Sequence, residues 1–147
     1  MPTAVHDPLK IANQLRPLLV RLSRQLRRET HALGLTGGQA SLLSTIHGNP
    51  GMGVNALAVS EGMTAASISG HVDRLEAAGL LERERSGEGD RRRVGLRVTR
   101  SGVRALEDVR RRRTAWLAQR LQTLSPDELR RVDEALGALA RIAEVQV

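Results

Sequence analysis

Cysteine is absent from this 147-residue sequence, and aromatic residues are almost absent. Without cysteine, the chain cannot form disulfides, use a thiolate nucleophile or bind zinc through sulfur. Trp116 is the one aromatic residue, so the stacking platforms that bind single-stranded nucleic acid are missing. The core must be built from Leu, Ile, Val and Ala, which favours packed helices over an aromatic-rich β-barrel.

Signals for membrane insertion, secretion and catalysis are also lacking. Residues 31–60 contain no Asp, Glu, Lys or Arg, but their glycines and polar residues such as Asn49 and Asn55 make them too polar to span lipid. The start shows no basic region followed by a long apolar run, so no secretion is expected. No glycine-rich phosphate loop, helical histidine pair or catalytic triad is recognisable. We therefore expect a cytoplasmic protein that is not an enzyme and has no cofactor, metal site or membrane segment.

Positive charge is concentrated in one part of the chain. There are 23 basic and 16 acidic side chains, and residues 80–113 alone hold 12 basic and 6 acidic ones. Lys10 is the only lysine, so nearly all of this charge is arginine, whose forked donors suit phosphate and guanine. The pattern predicts a focused binding surface for a polyanion.

Hydrophobic periodicity predicts a mainly α fold with a small β-hairpin. Helices are predicted over 8–33, 36–46, 54–61 and 64–78, from 101 and from 125, and strands over 80–86 and 94–99. Two helix starts are strongly marked: Thr36 with Gln39 forms a capping box, and Ser125-Pro126 precedes an acidic first turn. No linker divides the chain into independent domains.

The residues around Gly62 have the spacing of a helix-turn-helix. Ala58 is small enough for two helices to cross closely, Gly62 permits a tight turn, and Ile68 can fill the angle between them. Thr64 is placed to cap the second helix. The spacing alone is also compatible with an ordinary helical corner.

The second helix of this pair has two distinct sides. Ile68, Val72 and Leu75 fall on one side and form the predicted core face. The opposite side and its flanks carry small, hydroxyl and charged residues: Ala66, Ser67, Ser69, Gly70, Asp73 and Arg74. Such a face can enter the major groove of DNA closely, although it could equally be a solvated surface.

A glycine-bearing hairpin tip follows this helix, with the run Asp90-Arg91-Arg92-Arg93. Arginines at such a position can insert into the minor groove, where the negative potential attracts them. Asp90 is expected to brace an arginine, because phosphates repel a carboxylate. The alternative interpretation is a solvated run of charge.

From about Leu33 to Leu106, the sequence resembles the winged-helix regulators of the multiple antibiotic resistance regulator (MarR) family. The resemblance is carried by Leu57-Ala58, the run Ser67-Ile68-Ser69-Gly70-His71-Val72-Asp73-Arg74-Leu75-Glu76, Gly79-Leu80-Leu81, Asp90-Arg91-Arg92, and Val98-Thr99 followed by Gly102. It implies one MarR-type domain over 1–147, with a winged helix-turn-helix lobe at about 36–100 and dimerisation helices at about 8–33 and 101–147.

The resemblance also implies a function. The protein would be a homodimer that binds a pseudo-palindromic double-stranded operator and represses transcription until a small phenolic or anionic effector releases it. Two alternatives remain open: a nucleic-acid-binding architectural protein, and a protein-interaction module on a winged-helix scaffold without ligand response.

Residue by residue, the resemblance assigns the recognition-helix contacts to Ser67, Ser69 and Arg74, and the wing contact to Arg92 with Asp90 in support. Gly70 stands where many members have an arginine, and His71 where many have an apolar residue, so His71 is expected at the edge of the core. The full predicted DNA-binding set is Thr64, Ser67, Ser69, Gly70, Arg74, Asp90, Arg91 and Arg92. The predicted effector-binding residues are Arg16, His31, His47 and Trp116.

Overall fold

The predicted fold class, mainly α with one small hairpin, is confirmed. The structure, a computed structural model, describes residues 6–85 and 94–144. In chain order these residues form α1 (Pro8–Arg28), a 3-10 turn (His31–Leu33), α2 (Gly37–Gly48), α3 (Val54–Glu61), α4 (Ala65–Ala77), β1 (Leu81–Arg85), β2 (Val94–Val98), α5 (Arg100–Leu121) and α6 (Pro126–Glu144). Among the helices of this described part, none is long and apolar enough to cross a bilayer.

The chain forms two compact units, residues Met1–Arg113 and Thr114–Val147. The first unit contains α1 to α4, the hairpin and the first part of α5, and the second contains the end of α5 and α6.

The hydrophobic core lies in the first unit and is aliphatic. Its buried side chains come from α2, α3, α4, both strands, α5 and the residue before the α2 cap: Leu35, Ala40, Leu42, Leu43, Ile46, Leu57, Ala58, Ile68, Val72, Leu75, Leu81, Leu96 and Val109. Burying one side chain of the size of Val, Leu or Ile stabilises the fold by about 1.5–3 kcal/mol. The core therefore forms without a single Phe or Tyr, as the composition predicts.

Side-chain caps begin three of the helices at the predicted residues. Thr36 and Gln39 form a reciprocal capping box at α2. The Thr64 hydroxyl accepts the backbone N–H of Ser67 at 3.2 Å and starts α4. Ser125 and Glu128 cap α6 in the same reciprocal way, and the hydrogen bonds from Ser125 lower the pKa of the Glu128 carboxyl.

The prediction that the first helix continues to residue 33 is wrong. Helix α1 ends at Arg28, and Thr30 is buried with its hydroxyl oxygen 2.7 Å from the carbonyl oxygen of Arg27 and 3.0 Å from that of Leu35. A threonine hydroxyl that bonds the local backbone competes with helix continuation. Gly34 then adopts a φ of +75°, a left-handed conformation that glycine takes readily, and redirects the chain toward α2.

The hairpin has a third pairing partner that the sequence analysis did not predict. The Gly51 N–H donates to the carbonyl of Leu96, and the Leu96 N–H donates to the carbonyl of Met52, both at 2.9 Å. Strand β2 is thus bonded to β1 on one side and to Met52 on the other. Gly95 permits this approach, because a Cβ at that position would lie 2.9 Å from the Cα of Gly51.

Candidate nucleic-acid interface

Helices α3 and α4 form the predicted helix-turn-helix. Gly62 ends α3 with a φ of +63°, and Thr64 starts α4 two residues later. Ala58 and Ile68 are both buried at the junction, as their spacing predicts. The turn therefore holds the start of α4 in place through packing on one side and a side-chain cap on the other.

The outer face of α4 consists of the residues that the sequence analysis placed there. Ser67 and Arg74 are exposed, whereas Ser69 and Gly70 are half-buried. Thr64 is exposed, and its hydroxyl also donates to the hydroxyl oxygen of Ser67 at 3.0 Å. Because Thr64 serves as the cap, its structural role is defined independently of any DNA contact.

Arg74 folds back along α4 toward residues 70 and 71. Its Nη2 lies 3.3 Å from Nδ1 of His71, and a Cβ added to Gly70 would lie 3.9 Å from the same nitrogen. His71 is half-buried, in agreement with its predicted position at the edge of the core face.

The two carboxylates on the side of α4 are paired with an arginine from the hairpin. Nη2 of Arg83 on β1 lies 2.7 Å from Asp73 Oδ1, and its Nε lies 3.7 Å from Glu76 Oε2. Exposed pairs of this kind contribute about 0–1 kcal/mol to stability. Their main effect is electrostatic, because the paired carboxylates repel an approaching phosphate less than free ones would.

The hairpin that would carry the wing is antiparallel, with Leu81 opposite Val98 and Arg85 opposite Val94. It lies directly after α4 in the chain, as predicted. Asp90, Arg91 and Arg92, the predicted wing residues, lie outside the described residues.

The predicted effector-binding residues are spread over several elements. Arg16 lies on α1, His31 in the 3-10 turn and His47 near the end of α2, and all three are exposed. Trp116 belongs to the second unit, where it is half-buried and the Arg120 guanidinium carbon lies 5.1 Å from its ring centroid. Within residues 6–85 and 94–144, no group of three His, Asp or Glu side chains is arranged to hold a metal ion.

Two arginines of α5 have a structural role that the sequence analysis missed. Within the run of four arginines at 110–113, Arg112 Nε donates to the carbonyl of Glu29 and Arg113 Nε donates to that of Leu26, both at 3.1 Å. Burial, and then the nearby charge of Arg27, lower the pKa of the Arg113 guanidinium. These side chains satisfy carbonyls at the C-terminal end of α1, where positive charge is favourable.

The chain is similar to known proteins of one family. The sequence profile of the MarR family matches residues 33–93. An HTH-type transcriptional regulator of Mycobacterium tuberculosis is 33% identical over 119 residues, which cover 81% of this chain and 82% of the relative. The chain belongs to the MarR family. It is therefore a DNA-binding transcriptional regulator, as the resemblance implied.

Solved structures agree with this assignment to the MarR family. The crystal structure of MarR is 31% identical to this chain, with a TM-score of 0.68, and the match covers 88% of this chain and 96% of MarR. A crystal structure of a Pseudomonas aeruginosa protein is 26% identical with a TM-score of 0.80, covering 99% of this chain and 100% of that one. This MarR-family chain thus shares its winged-helix fold with solved structures.

Proposed function

We propose that this MarR-family regulator is a repressor that binds a specific double-stranded operator as a homodimer and is released by a small organic ligand. The observation that carries the proposal is the outer face of α4, which presents Ser67 and Arg74 to solvent while Ile68, Val72 and Leu75 anchor the opposite side in the core. The target is DNA, so we place the action of the protein in the cytoplasm.

Helix α4 is suited to the major groove by its residue types. Serine hydroxyls bond base edges or phosphates, and arginine contacts O6 and N7 of guanine through two parallel hydrogen bonds. Ser69 and Gly70 are half-buried on this face. Because both residues are small, the helix can approach the base pairs closely. MepR of Staphylococcus aureus shares this fold, and a single-residue mutant of MepR has been solved bound to an oligodeoxyribonucleotide, which supports DNA as the ligand of the fold.

We assign the minor-groove contact to the hairpin tip. Arg91 and Arg92 would bind there, with Asp90 bracing one of them. The antiparallel pairing of β1 with β2, the two strands that flank residues 86–93 in the sequence, supports this assignment. So does the excess of arginine in residues 80–113.

The terminal helices are proposed as dimerisation helices, at about 8–33 and 101–147, around a DNA-binding lobe at about 36–100. Both ends of the described chain expose apolar side chains: Leu18 is 52% and Leu22 43% exposed on α1, and Leu136 is 54% and Ile142 66% exposed on α6. Exposed apolar stripes of this extent indicate a partner surface. A twofold dimer would read an operator with matching pseudo-palindromic symmetry.

Arg16, His31, His47 and Trp116 remain the proposed residues for a phenolic or anionic effector. Their chemistry supports the proposal, because an arginine attracts a carboxylate or phenolate and an indole ring stacks on an aromatic one. Such a ligand releases DNA only if it binds better to a form of the dimer that misfits the operator.

A salt titration tests the proposed duplex binding and the wing together. The operator is first obtained by selecting bound duplexes from a random pool, and affinity is then measured against salt for wild type and Arg92→Ala. We expect Arg92→Ala to weaken operator and scrambled duplexes together. A dimer loses two cationic contacts, so the slope of log affinity against log salt should become shallower by up to about 2.

Arg110→Ala is the matched control, because Arg110 is an exposed arginine on α5 outside the predicted wing, and its effect on the slope should be small. Unchanged slope and affinity for Arg92→Ala would show that residues 90–93 are not a DNA-binding wing. A wild-type protein that binds the selected and scrambled duplexes equally would favour the architectural alternative. No duplex binding at all would favour the protein-interaction module.

A further inference from the structure

We propose that His71 is a positioning residue for DNA recognition, holding the Arg74 guanidinium over Gly70 in the orientation that contacts a base. This inference rests on the proposed function, in which α4 is the recognition helix. It adds a role for His71, which is not among the predicted DNA-binding residues.

The geometry around Arg74 supports the proposal. Residues 71 and 74 are neighbours on the helix surface at the i, i+3 spacing, and Nη2 of Arg74 lies 3.3 Å from Nδ1 of His71. Gly70 lies beside the same Arg74 nitrogen, since a Cβ added there would be 3.9 Å from it, an ordinary van der Waals distance. The guanidinium therefore lies beside Gly70 and at hydrogen-bonding distance from the imidazole of His71.

The charges around Arg74 leave its guanidinium available for DNA. The neighbouring carboxylates of Asp73 and Glu76 are engaged by Arg83, and in the described part of the chain Arg74 has no ion pair. A guanidinium carries five N–H donors, and one donor given to His71 leaves four. These are enough for a bidentate contact with a guanine edge.

The proposal requires one protonation form of His71. A neutral imidazole with its hydrogen on Nε2 accepts at Nδ1, so the arginine can donate to it. A long arginine side chain loses rotamer freedom on binding, and holding it beforehand reduces that loss. We therefore expect His71 to raise specific affinity more than nonspecific affinity, because only the base contact needs a fixed orientation.

A double-mutant cycle on the full-length protein tests the coupling. Wild type, His71→Leu, Arg74→Ala and the double variant are titrated with the selected operator and with a scrambled duplex. We expect His71→Leu to lower the ratio of operator to scrambled affinity by roughly tenfold, and to change nothing further in the Arg74→Ala background. Thermal melting confirms that each variant is folded, and His71→Ala replaces His71→Leu if the leucine disturbs packing.

His71→Asn is the conservative variant. Its Oδ1 is attached to Cγ, as Nδ1 is in histidine, and can accept from Arg74 in nearly the same place, so most of the ratio should return. The positioning role would be overturned if His71→Leu lowered the ratio of operator to scrambled affinity equally in the wild-type and Arg74→Ala backgrounds. It would also be overturned if His71→Asn did not restore that ratio. If Arg74→Ala leaves the ratio unchanged, the inference fails while operator binding stands. If wild type itself shows no preference for the operator, the proposed function fails with it.

Discussion

Gly102→Ala is expected to lower the free energy of unfolding by about 3 kcal/mol, because the helix start at this position has no room for a methyl group. Gly102 lies in the first turn of α5, where an added Cβ would overlap the carbonyl oxygen of Leu80 and lie 2.5 Å from Cγ1 of Val98. The oxygen belongs to the backbone, so no change of side-chain rotamer relieves the overlap.

Hydrogen bonds around Thr99 explain why the backbone cannot simply move away. The Thr99 hydroxyl donates to the carbonyl of Gly79 at 2.6 Å and accepts the N–H of Gly102 at 3.1 Å, and the Thr99 N–H donates to the carbonyl of Leu80 at 3.1 Å. Helix α5 is thereby fixed to the segment between α4 and β1. A displacement of its first turn disturbs the connection from α4 to the hairpin.

Gly38→Ala is the matched control for this prediction. Gly38 lies in the first turn of α2, where an added Cβ meets only the Thr36 hydroxyl oxygen, at 3.9 Å. Alanine is a better helix former than glycine, so this variant should be neutral or up to about 1 kcal/mol more stable. The free energy of unfolding of both variants is measured by urea denaturation, with circular dichroism as the signal. Similar stability changes for the two variants would contradict the close packing described at Gly102.

Replacing Leu18 and Leu22 together with Glu is expected to convert the dimer to a monomer and to reduce operator affinity at least about 100-fold. Both leucines are exposed on α1 of the single chain and belong to the face that we propose is buried in the dimer. Carboxylates buried there without partners would oppose association. The loss of DNA affinity follows because a monomer engages one half-site only, without the gain from linking two binding events.

Analytical ultracentrifugation at micromolar concentration measures the first effect and fluorescence anisotropy with the operator measures the second. Val59→Glu is the control for association, because Val59 is 85% exposed on α3, outside the proposed dimerisation helices. It should sediment as wild type does. A double variant that remains dimeric would exclude this face of α1 as the interface, and a monomeric wild type would exclude the proposed dimer altogether.

The features that local sequence determines were predictable. Capping pairs such as Thr36 with Gln39 lie three residues apart, so the helix start and its hydrogen bonds are both encoded within one turn. The helix-turn-helix was found for the same reason, because Ala58, Gly62 and Ile68 lie within eleven residues and each has a distinct steric role. Periodicity likewise identified the buried and exposed sides of α4.

Contacts between distant parts of the chain were not predictable. The hydrogen bond from Arg113 to Leu26 joins residues 87 positions apart, and nothing in a run of four arginines distinguishes the two that bond a helix end from the others. The bridge between Met52 and Leu96 depends in the same way on how the loop before α3 packs on the hairpin. The end of α1 at Arg28 could not be predicted either, because the sequence does not show that Thr30 is buried.

The candidate site was predictable as a surface but not in its internal contacts. Helical spacing places Ser67 and Arg74 on the outer side of α4, and the structure confirms that both are exposed. The approach of Arg74 to His71 is a different matter, since it depends on the rotamer of a long side chain. Spacing shows that the two residues are neighbours without showing that one accepts a hydrogen bond from the other.

Direct reading of base pairs by α4 is most sharply tested by measuring how Ser67→Ala changes the affinity for each single-base-pair variant of the operator. The helix cap is preserved in this variant, because Thr64 bonds the backbone N–H of Ser67. We expect a preference of about 1–3 kcal/mol to disappear at particular base pairs placed symmetrically in the two half-sites, with other positions unaffected. Unchanged preferences at every position, or a uniform loss of affinity across all variants, would contradict recognition of sequence by Ser67 on this helix.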